Sequence, residues 1–414
     1  MTADSPETIS AKRFAAFAHG AFVNYWTARF FSTFAVQIVA VSVGWQVYDL
    51  TRDPFDLGLI GLVQFLPLLL LVLVTGTVAD RFGRRHVMGA AVALECACAG
   101  AILYFSMRGL SGPLPIFIAL AGMGTARAFF GPASQSLVVN LVPQQDFANA
   151  VAWNASSWQV ASIVGPVAGG LLYGVGANVA YAVAVAMFLA SFLLITRIPK
   201  PPVRSETRKV TFSSLFDGLR FIRKEKVVLG AISLDLFAVL LGGAVALLPA
   251  YARDILHLGP WGLGLLRSAP GIGAIVMAGF LAASPITDHA GRILLFFVGL
   301  FGLFTALFGL SSLTWLSIGA LALIGAADMV SVYVRETLLQ LWTPDEVRGR
   351  VNAVNMVFLG ASNELGEFRA GFMAALIGVV PAVVFGGAGA IGVAVAWALL
   401  FPQLRDARYL HRQG

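Results

Sequence analysis

Gly76-Thr77-Val78-Ala79-Asp80-Arg81-Phe82-Gly83-Arg84-Arg85 is a short charged loop between two long apolar runs, and a degenerate copy of it occurs later in the chain. The copy is Ser284-Pro285-Ile286-Thr287-Asp288-His289-Ala290-Gly291-Arg292-Ile293, in which Asp288, Gly291 and Arg292 fall at one offset from Asp80, Gly83 and Arg84. A loop repeated in this way between hydrophobic segments marks a duplicated membrane bundle. Gly76 permits a close helix crossing, Gly83 a tight turn, and Arg81, Arg84 and Arg85 place positive charge at a membrane surface. Asp80 is more than a topology signal: a carboxylate at the membrane edge suits the N-terminus of a neighbouring helix or an arginine partner.

Composition leads to the bilayer independently. Of 414 residues, 58% are hydrophobic and 12% charged, and the mean hydropathy is +0.83. That is more apolar surface than a water-soluble core hides. Apolar stretches long enough to cross a hydrocarbon layer of roughly 30 Å number about twelve. The expected fold is therefore an all-α membrane protein of two pseudo-symmetric six-helix bundles. The N-terminal bundle covers residues 1–197 and the C-terminal one 227–414, with the seventh span read as continuous over 227–252 and the eleventh over 347–378.

Residues 198–226 form a basic linker, opened by a proline cluster that stops the preceding helix. Within it Phe212, Leu215, Phe216, Leu219 and Phe221 recur at helical spacing among polar residues, which predicts a helix lying in the membrane interface. Most basic residues outside the spans fall on the side of the termini and the linker, against Arg52, Arg108 and Arg253 on the other. Both termini are thus expected in the cytoplasm, in a multi-pass protein of a bacterial-type inner membrane. This bias accounts for the net charge of +7 without a nucleic-acid partner. Cys96 and Cys98, two apart on a helix, point to different faces, so neither a disulfide framework nor a metal site is expected. There is no G-x-x-x-x-G-K-S/T loop to hold ATP, and no cofactor is expected. An ion gradient is the remaining obvious energy source.

The loop at 76–85 resembles the signature between the second and third helices of the major facilitator superfamily. Three further segments resemble its exporter branch, which includes enterobactin-exporter-like and macrolide-efflux-like proteins. They are Trp45-Gln46-Val47-Tyr48-Asp49-Leu50-Thr51 with Leu57-Gly58, then Gly165-Pro166-Val167-Ala168-Gly169-Gly170, then Thr343-Pro344-Asp345-Glu346-Val347-Arg348-Gly349-Arg350. The antiporter form of the fifth-helix motif has a glycine four residues before Gly165, where this chain has Ala161. For the loop, the resemblance implies a latch between bundles that favours the state open to the outside. In the motif at 165–170, Pro166 removes a backbone donor while Gly165, Gly169 and Gly170 admit a neighbouring helix.

Aligning the halves sets Arg127 opposite Asp328, and Arg29 opposite Asp235 at a similar offset. The resemblance places these four around the central substrate path. Charges inside spans cost roughly 2.5 to 3.5 kcal/mol each on insertion scales and rarely face lipid. Two readings stand side by side: static ion pairs that hold a resting state, or substrate and proton binding. Arg335 and Glu336 are neighbours, while Glu364 and Glu367 share a helix face with Asn363 beside them and Arg369 nearby. Two carboxylates close together in low dielectric suit a shared proton, and pairing with Arg335 and Arg369 is the simpler alternative. Aromatic residues including Trp26, Phe30, Trp153 and Trp158 suit either a cavity wall or ordinary packing.

The expected activity is proton-coupled export of a small organic molecule (siderophore, drug or metabolite) by a monomer in the lipid bilayer, through alternating access. Uptake or facilitated passage of a metabolite or lipid is the alternative within transport, and a non-transporting receptor or assembly partner is the alternative outside it. An enzyme is not expected, since no His-Glu-His or Ser-His-Asp grouping lies at membrane depth.

Overall fold

The computed structural model describes residues 13–199 and 212–407 apart from Ser111 and Thr287, and among them there is no β-strand. The helices are α1 (Gly20–Thr51), α2 (Pro54–Phe82), α3 (Arg84–Arg108), α4 (Leu114–Val138), α5 (Phe147–Val175), α6 (Ala177–Thr196), α7 (Phe212–Lys224), α8 (Lys226–Gly242), α9 (Pro260–Ala283), α10 (Ala290–Leu310), α11 (Thr314–Trp342), α12 (Asp345–Ile377) and α13 (Val379–Leu400). Eleven helical segments in the described residues are long and apolar enough to cross a membrane. The twelfth, α12, has the length, at 33 residues, but carries Glu364, Glu367 and Arg369 within its apolar stretch. The duplicated all-α membrane architecture is thus present, and the span that plain hydropathy misses is the one into which charge has been admitted.

The chain forms two compact units, residues 1–43 with 66–209 and residues 44–65 with 210–414. In the first, helix ends are tied by side chains rather than left to lipid, where each unmet backbone group is costly. Gly83, at φ +83°, makes the turn into α3. Arg84 then donates to the Ser136 carbonyl at 2.9 Å and Arg85 to the Thr196 carbonyl at 2.8 Å. These guanidiniums meet the C-terminal ends of α4 and α6, the poles that favour a cation. The glycines of the fifth-helix motif bring α5 onto α1: a Cβ on Gly165 would lie 2.7 Å from Gln37 Cβ, and one on Gly169 3.0 Å from Ile38 Cα.

In the second unit, α8 stops at Gly242, and residues 243–255 continue as a 3-10 turn, a single short turn and a π-helical turn. The seventh span is therefore broken, not continuous as hydropathy alone suggested, because Gly242-Gly243 and then Pro249 interrupt the apolar run. The linker helix α7 forms over 212–224, and its Gly218 packs on α12, where a Cβ would stand 2.8 Å from the Arg350 carbonyl oxygen. The remainder of the linker, with Lys200, Arg204, Arg208 and Lys209, and the side chains of 212–217 lie outside the described residues.

Helices α9 and α11 touch backbone to backbone. A Cβ on Gly273 would meet the Ala322 carbonyl oxygen at 1.8 Å, and one on Gly325 the Pro270 carbonyl oxygen at 1.9 Å. Such crossings replace the hydrophobic drive that lipid cannot supply between apolar helices. Gly325→Ala is expected to force the pair apart and cost about 1–3 kcal/mol or more, read as a lower melting temperature in detergent. Gly319→Ala, on the same helix with nothing within 4 Å of the new methyl, is the control. Equal melting temperatures for the two variants would contradict the crossing's importance.

Candidate functional site

In the second unit the buried ions are brought together by three helices. Asp235 on α8 forms an ion pair with Arg335 on α11, and the two are 7% and 2% exposed. Glu336 approaches the same guanidinium at 3.7 Å and accepts a hydrogen bond from Asn355 of α12 at 3.1 Å. Asp328, two turns back along α11, lines a small water-sized pocket with Asp235, Ser331, Val298 and Phe301. No hydrogen bond or ion pair reaches the partly exposed Asp328 carboxylate from any described residue. One carboxylate of the pocket is thus balanced and the other is not.

The first unit holds its own balance. Glu95 on α3, 1% exposed, accepts a hydrogen bond from Ser32 at 3.0 Å and interacts electrostatically with Arg127 of α4. Arg29 on α1 reaches only the Tyr25 hydroxyl, at 3.4 Å. Asp235 and Arg29 lie in different units, as do Asp328 and Arg127. Within units Asp235 forms an ion pair with Arg335, and Glu95 feels the charge of Arg127, relations that the alignment of halves did not join. A repeat alignment relates equivalent positions in two bundles and carries no information on which helix faces meet.

A second cluster centres on α12. Glu364 and Glu367 both turn toward Gly61 of α2, where a Cβ would lie 3.0 and 3.2 Å from their Oε2 atoms. Their electrostatic partner is Arg267 on α9, a residue that sequence reasoning passed over. The signal was available: an arginine inside the apolar run Leu263–Ala269 is costly enough to demand a partner. Arg369 does not join these glutamates. Its guanidinium donates to the Leu241 carbonyl at the broken end of α8 and to Met373 Sδ at 3.1 Å. Asn363 is exposed and donates to the Leu359 carbonyl of its own helix at 2.9 Å.

The start of α2 lies on the same helix. A Cβ on Gly58 would come within 2.9 Å of the Phe368 carbonyl oxygen, and one on Gly371 within 2.6 Å of Gly58 Cα. Next to this contact, the motif at 45–51 engages the π-helical turn. Tyr48 donates to Asp254, Arg253 pairs with Asp49 and lies 5.3 Å over the Trp45 ring, and Arg52 reaches Asp254 at 3.2 Å and Asp49 at 3.8 Å. Each pair is partly exposed and individually weak, but two arginines and two aspartates form one network.

Of the loop candidates, Gly76 and the Asp80 side chain lie outside the described residues, and Arg81 is exposed. Asp288 and Arg292 are not partners of each other: Asp288 accepts from the His289 backbone at 2.7 Å, and Arg292 lies 3.8 Å from Asp406. Gly291 meets the chain's C-terminal turn, with its N–H donated to the Ala407 carbonyl at 3.1 Å. Pro166 and Gly170 are buried within α5. Among the described residues there is no group of His, Cys, Asp and Glu suited to a metal.

Two helical units of one duplicated design, charges kept at depth inside the spans, and helices packed through glycine define a membrane transporter of the major facilitator type. The chain belongs to the transmembrane secretion effector family, whose model matches residues 11–410. It is 26% identical over 398 residues, 94% of each chain, to the enterobactin exporter EntS of Escherichia coli, and equally similar to that of Citrobacter koseri. Among solved structures it is similar to the nucleoside transporter NupG, with a TM-score of 0.72 at 13% identity over 92% of this chain and 99% of that one. A bacterial homologue of the human lysosomal transporter Spinster, inward-facing and occupied, gives 0.71 at 13% identity over 95% and 98%. At these identities the solved structures show the fold alone. Family and relatives are transporters, not enzymes.

Proposed function

We propose that the chain is a proton-coupled exporter of a small organic molecule, working as a monomer by alternating access in a bacterial-type inner membrane. The observation that carries this reading is Asp328, a carboxylate at depth in α11 without a counter-ion among the described residues, beside a carboxylate that has one. Asp328 is partly exposed toward the small pocket, yet an unpaired charge inside a membrane span is costly, and uptake of one proton removes the charge without moving any other group. Asp235 has a different task, since its charge holds Arg335. Protonation of Asp328 from the outer side, followed by release of the proton to the cytoplasm, would drive the substrate outward once per cycle. The relatives named as enterobactin exporters support the outward direction.

The test begins with the compound that accumulates in cells lacking the chain. In proteoliposomes, Asp328→Asn is expected to reduce proton-driven export of that compound to the level of empty liposomes while leaving gradient-free exchange intact, because the rocking motion needs no titrating group. Uphill export by Asp328→Asn at the wild-type rate would overturn the assignment.

Orientation has its own test. Alkaline phosphatase inserted after Thr207, in the basic linker, is expected to be inactive because that segment is cytoplasmic. An active fusion would reverse the topology and with it the direction of export.

A further inference from the structure

Arg29 and the aromatic side chains of α1 form an arrangement that coupling does not use. Trp26 and Phe30 are stacked, with ring centroids 5.7 Å apart and planes 6° from parallel, and Phe34 continues the row at 5.6 Å from Phe30. The row is fixed in place. Trp26 donates its indole N–H to the Trp153 carbonyl at 3.0 Å, and Phe17 packs edge-on against it at 5.3 Å. Trp26 and Phe30 nevertheless retain partly exposed surface.

Beside this row stands a guanidinium with almost nothing to hold. Arg29 is partly exposed, makes one long hydrogen bond to Tyr25 Oη, and has no carboxylate within ion-pair distance among the described residues. The Tyr25 hydroxyl is buried and already donates to the Ser134 carbonyl of α4 at 2.9 Å. That contact also sets the level of the second arginine. Arg29 lies four residues further along α1, about 6 Å, while Arg127 lies seven residues back along the antiparallel α4, about 10 Å in the same direction. Away from the helix ends, the carboxylates and cations of the first unit's spans are Arg29, Arg127 and Glu95, a balance of one excess positive charge, with Glu95 buried behind Ser32.

We infer that Arg29 and the Trp26–Phe30 shelf form the recognition site for an aromatic organic anion, whose carboxylate is gripped by the Arg29 fork while its ring lies against the shelf. A guanidinium offers paired, parallel N–H groups that match a carboxylate, and an arginine deep in a span is stabilised when a ligand brings the missing negative charge. The aromatic shelf adds ring-on-ring contact without requiring a hydrogen bond. Arg127 raises the local positive potential while keeping its own partner. The inference deepens the export reading by naming its substrate class and rests on the chain being a transporter of small organic molecules.

Equilibrium binding to the purified full chain in nanodiscs, without any gradient, tests this apart from export. The probes are 2-naphthoate, 2-naphthylmethanol and 2-naphthylmethylammonium, similar in shape and differing in charge. Wild type is expected to bind the anion about tenfold or more tightly than the alcohol, a difference in the range of a charge-assisted hydrogen bond, and the ammonium most weakly. Arg29→Gln is expected to erase the preference for the anion, Arg29→Lys to restore part of it, and Trp26→Leu to weaken anion and alcohol alike. The comparison of probes on wild type stands even where a variant fails to fold. Equal binding of anion and alcohol by wild type, tighter binding of the ammonium, no binding of any probe, or an anion preference that survives in Arg29→Gln would each overturn the inference. Anion binding without uphill export would instead sink the export reading and leave this site standing.

Discussion

Asp235→Asn is expected to be the most destabilising single substitution at depth in the second unit. Its partner Arg335 is 2% exposed, so removing the aspartate charge strands a guanidinium where water cannot reach it. Breaking one side of such a pair typically costs about 3–5 kcal/mol. Glu336, 3.7 Å from the same group, softens the loss and places the expected cost toward the lower end of that range. The double variant Asp235→Leu/Arg335→Leu leaves neither buried member of the pair alone, only the more exposed Glu336 with its Asn355 hydrogen bond, and is expected to recover most of the accumulation and melting temperature lost in the single variant. Asp328→Asn, which strands no partner, is expected to melt at or above the wild-type temperature. A melting temperature for Asp235→Asn equal to wild type would refute the account of the pair.

The largest functional effect is expected from tying the α1–α2 turn down. Asp49 and Arg253 meet in the network around the turn, in the segment where the chain passes from the first unit into the second and back, and alternating access requires the units to move in each cycle. Asp49→Cys/Arg253→Cys, built on Cys96→Ser/Cys98→Ala, is expected to lose all transport when bridged by a short bifunctional methanethiosulfonate and to regain it on reduction. Binding of ligand from the other side should survive bridging. Unimpaired transport in a fully bridged protein would show that this contact never opens.

The spans were legible because lipid selects for length and apolarity, and the exceptions are local. The break after Gly242 was masked by strongly apolar residues on either side, Val239-Leu240-Leu241 and Ala244-Val245-Ala246-Leu247-Leu248. Hydropathy sees no difference between a helix and its interruption. The glycines at 165 and 169 were readable as packing positions from their spacing, but Gly273 and Gly325 belong to no motif and are known only from the crossing. Among the charges, the residue types and depths at Arg29, Arg127, Asp235 and Asp328 were evident. Which were balanced was not: Asp235 finds Arg335 across helices exactly 100 positions apart in the chain, a matter of helix register that one-dimensional periodicity does not encode. The three residues Glu364, Glu367 and Arg369 look like one ionic group in sequence, yet they point to Arg267 and to a backbone carbonyl respectively.

The guanidinium of Arg369 on the Leu241 carbonyl bears on how the protein is made. Acceptor and donor are 128 residues apart, and at roughly 5 to 20 residues per second the brace emerges about 6 to 26 s after the break it serves. Through that interval the seventh span is a poor candidate for lateral release into lipid, since a carbonyl left open there has no water to meet it. Its natural refuge is the protein-lined channel of the insertion machinery, alongside α9, α10 and α11, until α12 is synthesised. Membrane integration of α8 to α12 would then be a single late event, with five spans delivered as a group and the α12 arginine acting as the signal that the group is complete.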